Sequence, residues 1–310
     1  MRRLVRVALG VLVVALVALT VLNHTWAKLP PMPQADGEFL NLHGRQIHYA
    51  ERPGPGVPVV LIHGLPGTHK DFEPIIPKMS GLHSISFDRP GFGWSRGGWL
   101  PFQEQVDMVH QLLAERRLGP AVVVGHSFGA VVAMGLARRY PRDVARMVLV
   151  APGAGGLRSA TADLLQARYI EFSQLPVISA VIDAVAGDVF KRISATSGAA
   201  HAFEPHDVDP GYEQRLMPVT MTPGNLRAFA HEQFEFDATS AWLDENVDQI
   251  TVPSVIIGAE DDQLVGIGHA RRLAETLPHT ELVTVEGGHM IPYSHPDVVV
   301  GEIRRAVAQR

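Results

Sequence analysis

The sequence predicts an α/β protein built on a mostly parallel β-sheet, and three observations carry that prediction. Val57 to Ile62, Ala121 to Val124 and Val144 to Ala151 are short, β-branched apolar runs. Unbroken runs of that kind suit strands buried on both faces of a parallel sheet. Helical patterns accompany them: Phe102 to Arg117 sets Val106, Val109, Leu112 and Leu113 on one face, and Phe128 to Tyr140 runs to a stop at Pro141. The third observation is Gly125-His126-Ser127-Phe128-Gly129, a G-x-S-x-G turn joining an apolar strand to a helix.

The first segment stands apart from that domain. Met1 to Arg6 is basic, and Val7 to Leu22 is apolar apart from one Gly and one Thr. That is about the length that spans a hydrocarbon core, and its lack of a polar face argues against a buried core helix. With Arg2, Arg3 and Arg6 on its N-terminal side, the positive-inside rule sends the rest of the chain to the extracytoplasmic side. A signal peptide is the competing reading. It would have a shorter apolar region, and Thr25-Trp26-Ala27 is a poor cleavage site. An uncleaved membrane anchor is therefore preferred, with secretion as the outcome if the segment is removed. Lys28-Leu29-Pro30-Pro31-Met32-Pro33 follows as a stiff linker.

Composition narrows the function classes. The 310-residue chain suits one large α/β domain carrying an inserted subdomain. Its net charge is −5, and no basic tract follows residue 6, which argues against a nucleic-acid partner. It has no cysteine, hence no disulfide framework, thiolate nucleophile or thiolate metal site. The 15 histidines are scattered without an H-E-x-x-H pattern, so no metal and no cofactor are expected.

The domain opens with hairpin grammar. Glu38 to Leu42 and Gln46 to Ala50 flank His43-Gly44-Arg45. After the loop Pro53-Gly54-Pro55-Gly56, the Val57 run enters His63-Gly64-Leu65-Pro66-Gly67. His63 is assigned a structural role in holding that loop and not a proton-transfer role, with a metal ligand or an ordinary core histidine as the other readings. The strand His83 to Phe87 ends in Asp88-Arg89-Pro90-Gly91-Phe92-Gly93-Trp94-Ser95. This is not a dinucleotide fingerprint, because position 96 is Arg. Asp88 and Arg89 are read as a loop-stabilising ion pair, in preference to a catalytic role. Ser127 then sits at the apex of a sharp strand-to-helix turn, the setting of a nucleophile. Side chains at 125 and 129 would collide with the strand and helix closing on it. The plainer alternative is a serine that only caps the helix. Acyl transfer also needs backbone N–H groups aimed at an oxyanion. These are assigned to Phe128, after the serine, and to Leu65, since Pro66 has no N–H.

After Ala151 the pattern changes. Pro152 to Gly156 is a flexible exit, and residues 157 to about 236 read as short helices broken at Pro176, Gly187, Gly198, Pro205, Pro210, Pro218 and Pro223. Pro253 to Gly258 is a strand leading to Ala259-Glu260-Asp261-Asp262. Glu281 to Val285 is the last strand, followed by Glu286-Gly287-Gly288-His289. His289 follows two glycines at a strand end, which lets its imidazole swing over the site; His295 before Pro296 is its rival.

H-G-x-P-G, D-R-P-G-F-G-x-S and G-H-S-F-G, in this order, resemble the α/β-hydrolase superfamily in its lidded esterase, C–C hydrolase, perhydrolase and epoxide hydrolase-like branch. The resemblance covers about residues 38 to 308. It implies a mostly parallel eight-stranded sheet flanked by helices, with a helical lid between strands 6 and 7. The implied domains are 1–27 as anchor or signal peptide, 28–37 as proline-rich linker, 38–154 and 237–310 as the two parts of the core, and 155–236 as the lid. Tyr169, Phe172, Phe190, Phe203, Tyr212, Met217, Met221, Phe229 and Phe234 are pocket candidates from that lid. The family pattern strand-G-x-x-D selects Asp261 as the acid, with Asp262 and Glu260 as rivals. Ser127, Asp261 and His289 then stand in the order this fold uses. Epoxide hydrolases and haloalkane dehalogenases of the branch carry aspartate at the apex. Serine here points to attack on a carbonyl instead. The expected activity is a serine hydrolase acting on an ester-like small apolar molecule. Alternatives are a lactone, an amide, a C–C bond, perhydrolysis, or a hydrolase-fold binding protein without turnover.

Overall fold

The computed structural model describes residues 2–153 and 176–309. Its centre is an eight-stranded sheet in the order β1-β2-β4-β3-β5-β6-β7-β8. β1 (Glu38–Leu42) and β2 (Arg45–Arg52) form the expected hairpin and pair antiparallel, as do β2 and β4 (Ser84–Phe87). From β4 onward through β3 (Val59–Ile62), β5 (Ala121–His126), β6 (Val144–Val150), β7 (Ser254–Ala259) and β8 (Thr280–Val285) every pair is parallel. The loops that leave β3, β4, β5, β7 and β8 therefore share the carboxyl edge of the sheet, where open α/β sheets bind ligands.

The apolar runs behave as their lack of alternation predicts. Val60, Ile62, Val123, Met147, Leu149 and Ile256 point into one core layer, and Val59, Leu61, Val122, Val124, Val148, Val150, Val255 and Ile257 into the other. The first layer is covered by α2 (Phe102–Arg116) and α3 (Phe128–Arg139). The second is covered by Phe72, Ile75 and the C-terminal helix Pro296–Ala308. Burying both faces of these central strands is what makes the sheet rigid enough to carry a site on its edge.

Between β6 and β7 the described residues form α4 (Pro176–Ile182), a π-helical turn (Asp183–Gly187), α5 (Asp188–Phe203), α6 (Tyr212–Thr220) and α7 (Pro223–Asn246). Three expected breaks are absent: Gly187 has helical dihedrals and joins the π-helical turn directly to α5, Gly198 lies inside α5 and Pro218 inside α6. Pro218 loses little there, because it sits in the last turn of a nine-residue helix. α7 is a single helix that passes through residue 236 into the core. Tyr169 and Phe172 lie outside the described residues.

The N-terminal helix α1 (Arg2–His24) is exposed along its length, yet its end is not detached. Asn23 and Ala27 are buried. The Asn23 side chain accepts from the N–H groups of Asp188 (2.8 Å) and Val189 (3.2 Å) and donates to the Ala184 carbonyl (3.1 Å). Beyond it the linker is also held. Trp94 Nε1 donates to the Pro33 carbonyl (2.9 Å), and Asp36 pairs with His69 and Lys70.

Asp88 and Arg89 do not pair with each other as the sequence suggests; each is claimed by other partners. Asp88 is fully buried and accepts from His48 Nδ1, from the His69 ring and backbone N–H, and from the Trp94 N–H, all at 2.8–2.9 Å. Burial alone would raise its pKa, but the His69 charge and the two imidazole hydrogen bonds hold the carboxyl far below its usual range. Arg89 donates to the carbonyls of His63 (3.0 Å) and Gly64 (2.8 Å) and to Gln105 (2.9 Å). It also forms a two-pronged pair with Glu232 of α7. One buried charge thus ties the loop after β3 to α2 and to the inserted helices. Removing one partner of a buried pair leaves the other charge uncompensated. Glu232→Ala should therefore cost about 3 kcal/mol or more, seen as a lower thermal unfolding midpoint of the detergent-solubilised chain, whereas Glu245→Ala, at an exposed position of the same helix, should leave the midpoint near the parent value.

Candidate active site

Ser127 occupies the turn between β5 and α3 with φ +54° and ψ −124°. A non-glycine residue is strained there, and the surroundings enforce it. A Cβ at position 125 would lie 2.4 Å from Ala130 Cα, and one at 129 would lie 2.1 Å from the Ile62 carbonyl oxygen. Both glycines are thus needed for close approach to the helix and to β3. The Ser127 side chain makes no capping hydrogen bond to the helix. The capping alternative is therefore set aside, and the hydroxyl is left for the cavity that Ser127 lines.

The loop after β3 lies directly against the serine: a Cβ on Gly64 would meet Ser127 Cβ at 2.8 Å. His63 holds this loop. Its Nδ1–H donates to the Gly64 carbonyl (2.8 Å) and its Nε2 accepts the Arg89 N–H (2.9 Å). Both ring nitrogens are committed to backbone, and burial, with the Arg89 charge beside it, keeps the imidazole neutral well below its usual pKa. Leu65 and Phe128 both line the cavity, and among the described residues neither N–H is donated to a backbone carbonyl. The Arg89 guanidinium stacks 5.1 Å above the Phe128 ring and supports the second of these residues.

His289 lines the same cavity and is buried. Its Nδ1 is 2.7 Å from Asp262 Oδ2, so the partner is Asp262 and not Asp261. The physical reason is local chain direction. Asp262 is buried at the loop's inner side, where its other oxygen accepts the N–H groups of Leu264 (2.8 Å) and Val265 (3.0 Å). Burial raises the Asp262 pKa, but the hydrogen bond and charge of His289, with those N–H groups, outweigh it and hold the carboxyl below its usual value. Asp261 is exposed and faces the other way, accepting the Gly287 N–H at 3.1 Å. It positions the turn before His289. Glu260 pairs on the surface with Arg271. His295 contacts Ser294 and is half-buried, away from the cavity lining.

The two glycines before His289 serve closeness, not swing. A Cβ on Gly288 would lie 1.9 Å from the Glu204 carbonyl oxygen, and one on Gly287 would lie 2.6 Å from His206 Nε2. The inserted chain is thus seated on the histidine loop, and the Met290 N–H donates to the Ala202 carbonyl (3.1 Å). His126 adds a second tie, its Nε2–H donating to the His289 carbonyl at 3.0 Å. Burial, reinforced by His289, pushes the His126 pKa down to about 3.

The cavity has a volume of about 250 Å³. Its walls are mainly apolar: Leu216, Met217, Met221, Phe229 and Phe236 from the inserted helices, with Leu264, Val265 and Met290 from the core. Of the aromatic and methionine candidates from the sequence, Tyr212, Met217, Met221 and Phe229 line it. Phe203 packs behind Tyr212, and Phe190 and Phe234 are exposed. Sequence reasoning missed Asp71. Its carboxyl lines the cavity, is 4% exposed, and has one oxygen without a hydrogen-bond partner among the described residues. The signal was faint: an acid three residues after Thr68, the arrangement of a capping box. His48, His69 and Asp88 form a buried cluster of metal-ligand types. Their nitrogens point at the Asp88 oxygens as hydrogen-bond donors, and His69 has its pKa raised to about 9, burial being outweighed by Asp88 and Asp36. The cluster is accounted for as a charge-paired brace.

Comparison with known proteins agrees with this architecture. A family model described as alpha/beta hydrolase fold matches residues 57–296. Human monoacylglycerol lipase ABHD6 is 25% identical over 276 residues, covering 83% of this chain and 80% of that protein. The 2-(acetamidomethylene)succinate hydrolase of Mesorhizobium japonicum is 24% identical over 269 residues, covering 84% and 91%. Among solved structures, the enol-lactonase from Burkholderia xenovorans LB400 has a TM-score of 0.70 at 17% identity, covering 87% of this chain and all of that one (100%).

Asp71 makes a stability prediction. Burial, with the nearby Asp88 charge, raises its pKa to about 8 from the ordinary 3.8. The folded state then holds a proton that the unfolded chain has lost between those two values. The stability that Asp71 contributes is full below the unfolded pKa and falls as pH rises through the folded one. Asp71→Asn removes this dependence. Its unfolding free energy relative to the parent should rise by up to about 1.4 kcal/mol per pH unit across that window, measured by chemical denaturation at pH 5 and pH 8. A pH-independent difference would refute the buried neutral carboxyl.

Proposed function

We propose that this chain, which belongs to the α/β hydrolase fold family, is a serine hydrolase of ester-like carbonyls, with Ser127 as nucleophile, His289 as base and Asp262 as its partner acid. The carrying observation is an uncapped serine at positive φ that shares one cavity with a histidine whose Nδ1 is fixed by a buried carboxylate. Asp262 takes the role that the sequence pattern assigned to Asp261, because it alone of the two touches the imidazole.

In this mechanism His289 Nε2 takes the Ser127 hydroxyl proton as Oγ bonds to the substrate carbonyl carbon. Asp262 fixes the imidazole tautomer and offsets the positive charge that forms. The carbonyl π electrons move to oxygen, where the Leu65 and Phe128 N–H groups stabilise them. Collapse of this tetrahedral species breaks the bond to the leaving oxygen, which takes the proton from His289. Water then attacks the acyl-enzyme, gives its proton to His289, and releases the acid as Ser127 regains its hydrogen. Carbonyl attack fits serine chemistry, and the apolar walls favour an apolar acyl or alcohol portion. The helices between β6 and β7 act as a lid over the site, within residues 155–236.

The N-terminal helix is read as an uncleaved anchor. It is long and apolar enough to cross a membrane and is unburied in the fold. Its arginines lie at the N-terminal end, which assigns the hydrolase domain to the extracytoplasmic side. Resistance of the chain to carbonate extraction tests the anchor.

Ser127→Ala should abolish labelling by a fluorophosphonate probe and cut turnover of a chromogenic ester by at least about 10³-fold. Near-parental turnover would sink the assignment. Asp262→Asn should lower kcat by about 10³–10⁴-fold with the fold intact, by loss of the correct histidine tautomer. Asp261→Asn should cost no more than about tenfold. Reversal of that order would return the acid to Asp261.

A further inference from the structure

The place where α1 meets the inserted helices fixes where a bilayer would lie relative to the cavity. Asn23 is buried and bonds the first N–H groups of α5, so the helix and the lid share one hydrogen-bonded joint. Trp26 follows at the end of α1, 58% exposed, where an aromatic side chain marks the headgroup level of a membrane. Arg192 of α5 lies over that ring at 5.6 Å and reaches the carbonyls of Ala27 and Lys28. The next residue on α5 is Ile193, 57% exposed. On α4, Val177 and Val181 are one turn apart and 76% and 58% exposed. These are branched apolar side chains beside the point where an apolar helix leaves the lipid. Such a surface is expensive in water and stable at a headgroup–acyl boundary.

The same helix lines the cavity. Of the described residues that line it, Ser194 and Gly198 of α5 are the exposed ones. Ser194 directly follows Ile193. The cavity lining and the apolar surface are therefore neighbours on α5, and Arg192, two residues before Ser194, touches Trp26.

We propose that the lid surface carrying Val177, Val181 and Ile193 rests on the bilayer that α1 crosses. The cavity mouth at Ser194 and Gly198 then faces the acyl boundary, and the substrate is a single-chain ester amphiphile drawn from that leaflet. This rests on the anchor reading of α1 and on the Ser127 hydrolase reading. A tether alone would leave the domain free to tumble; the Asn23 joint instead presents the mouth to the lipid.

The absence of cysteine makes a direct test clean. Full-length Ile193→Cys and Arg142→Cys chains, each labelled with the polarity-sensitive fluorophore NBD, are placed in phosphatidylcholine vesicles; Arg142 is exposed before β6, at the opposite edge of the sheet. The label at 193 is expected to emit at shorter wavelength, to be quenched by doxyl lipid and to resist iodide, with the label at 142 behaving conversely. Equal iodide quenching at both positions in a carbonate-resistant chain overturns the docking while sparing the anchor. Release of the chain by carbonate overturns the anchor and the proposal together.

A second arm reads function. Val181→Asp with Ile193→Asp should slow hydrolysis of a monoacylglycerol dispersed in vesicles by about tenfold or more and leave a water-soluble butyrate ester within about twofold. Equal loss on both substrates, or none on either, overturns the proposal. Turnover that survives Ser127→Ala overturns the hydrolase reading instead, and the NBD result stands independently of it.

Discussion

A fully buried guanidinium is tolerable only when its donors are all answered, and Arg89 is answered by the parts that make the site. Two of its partners are the carbonyls of His63 and Gly64, which set the loop after β3. Others are Gln105 of α2 and Glu232 of α7. Its face lies on Phe128, the first residue of α3. Because the guanidinium is planar, these partners are held in one plane relation to each other. The two proposed oxyanion donors and α7 of the inserted chain are thereby referred to a single charge. Its own backbone N–H closes the circle by bonding His63.

Much of this was legible because it follows from short-range sterics. A serine between glycines after an apolar strand has few places to be, and the collisions that a Cβ would meet at 125 and 129 explain why those positions read clearly. The same holds for the alternate burial of β3, β5, β6 and β7, whose unbroken apolar runs require two covered faces. Even Gly287 and Gly288 were legible as special, but their purpose was not. Their partners, Glu204 and His206, lie about eighty residues earlier and belong to the inserted chain.

What was not legible depended on direction. Asp261 and Asp262 are adjacent, and a one-residue change in which peptide turns decides which carboxylate faces inward. The deciding contacts are the Leu264 and Val265 N–H groups, which fold the loop back onto Asp262. No residue type there announces that turn. The Asp88-Arg89 pair failed for a related reason. Neighbouring residues on an extended chain leaving a strand point to opposite sides, so each found its own partners in different layers. The Asn23 joint was hidden for the opposite reason: a polar residue at the end of an apolar helix looks like a boundary, and only the fold supplies the Asp188 and Val189 N–H groups, just after the π-helical turn, that it meets.

The charge around Ser127 is arranged by subtraction. His63 and His126 are held neutral by burial, and Asp71 keeps its proton up to about 8. Arg89 is balanced by Glu232. Among the described residues, the one carboxylate hydrogen-bonded to the His289 ring is Asp262. An imidazolium forming there would therefore meet a single close counter-charge, aligned along its Nδ1–H, with no rival acceptor to draw the proton elsewhere. On the far side of the serine Leu65 and Phe128 line the cavity, and in the proposed mechanism their N–H groups supply the positive end of a dipole there. Neutralising the surroundings leaves positive dipole on one side of the hydroxyl and one carboxylate on the other. In a low-dielectric cavity that polarity favours moving a proton toward His289 while negative charge builds toward the loop.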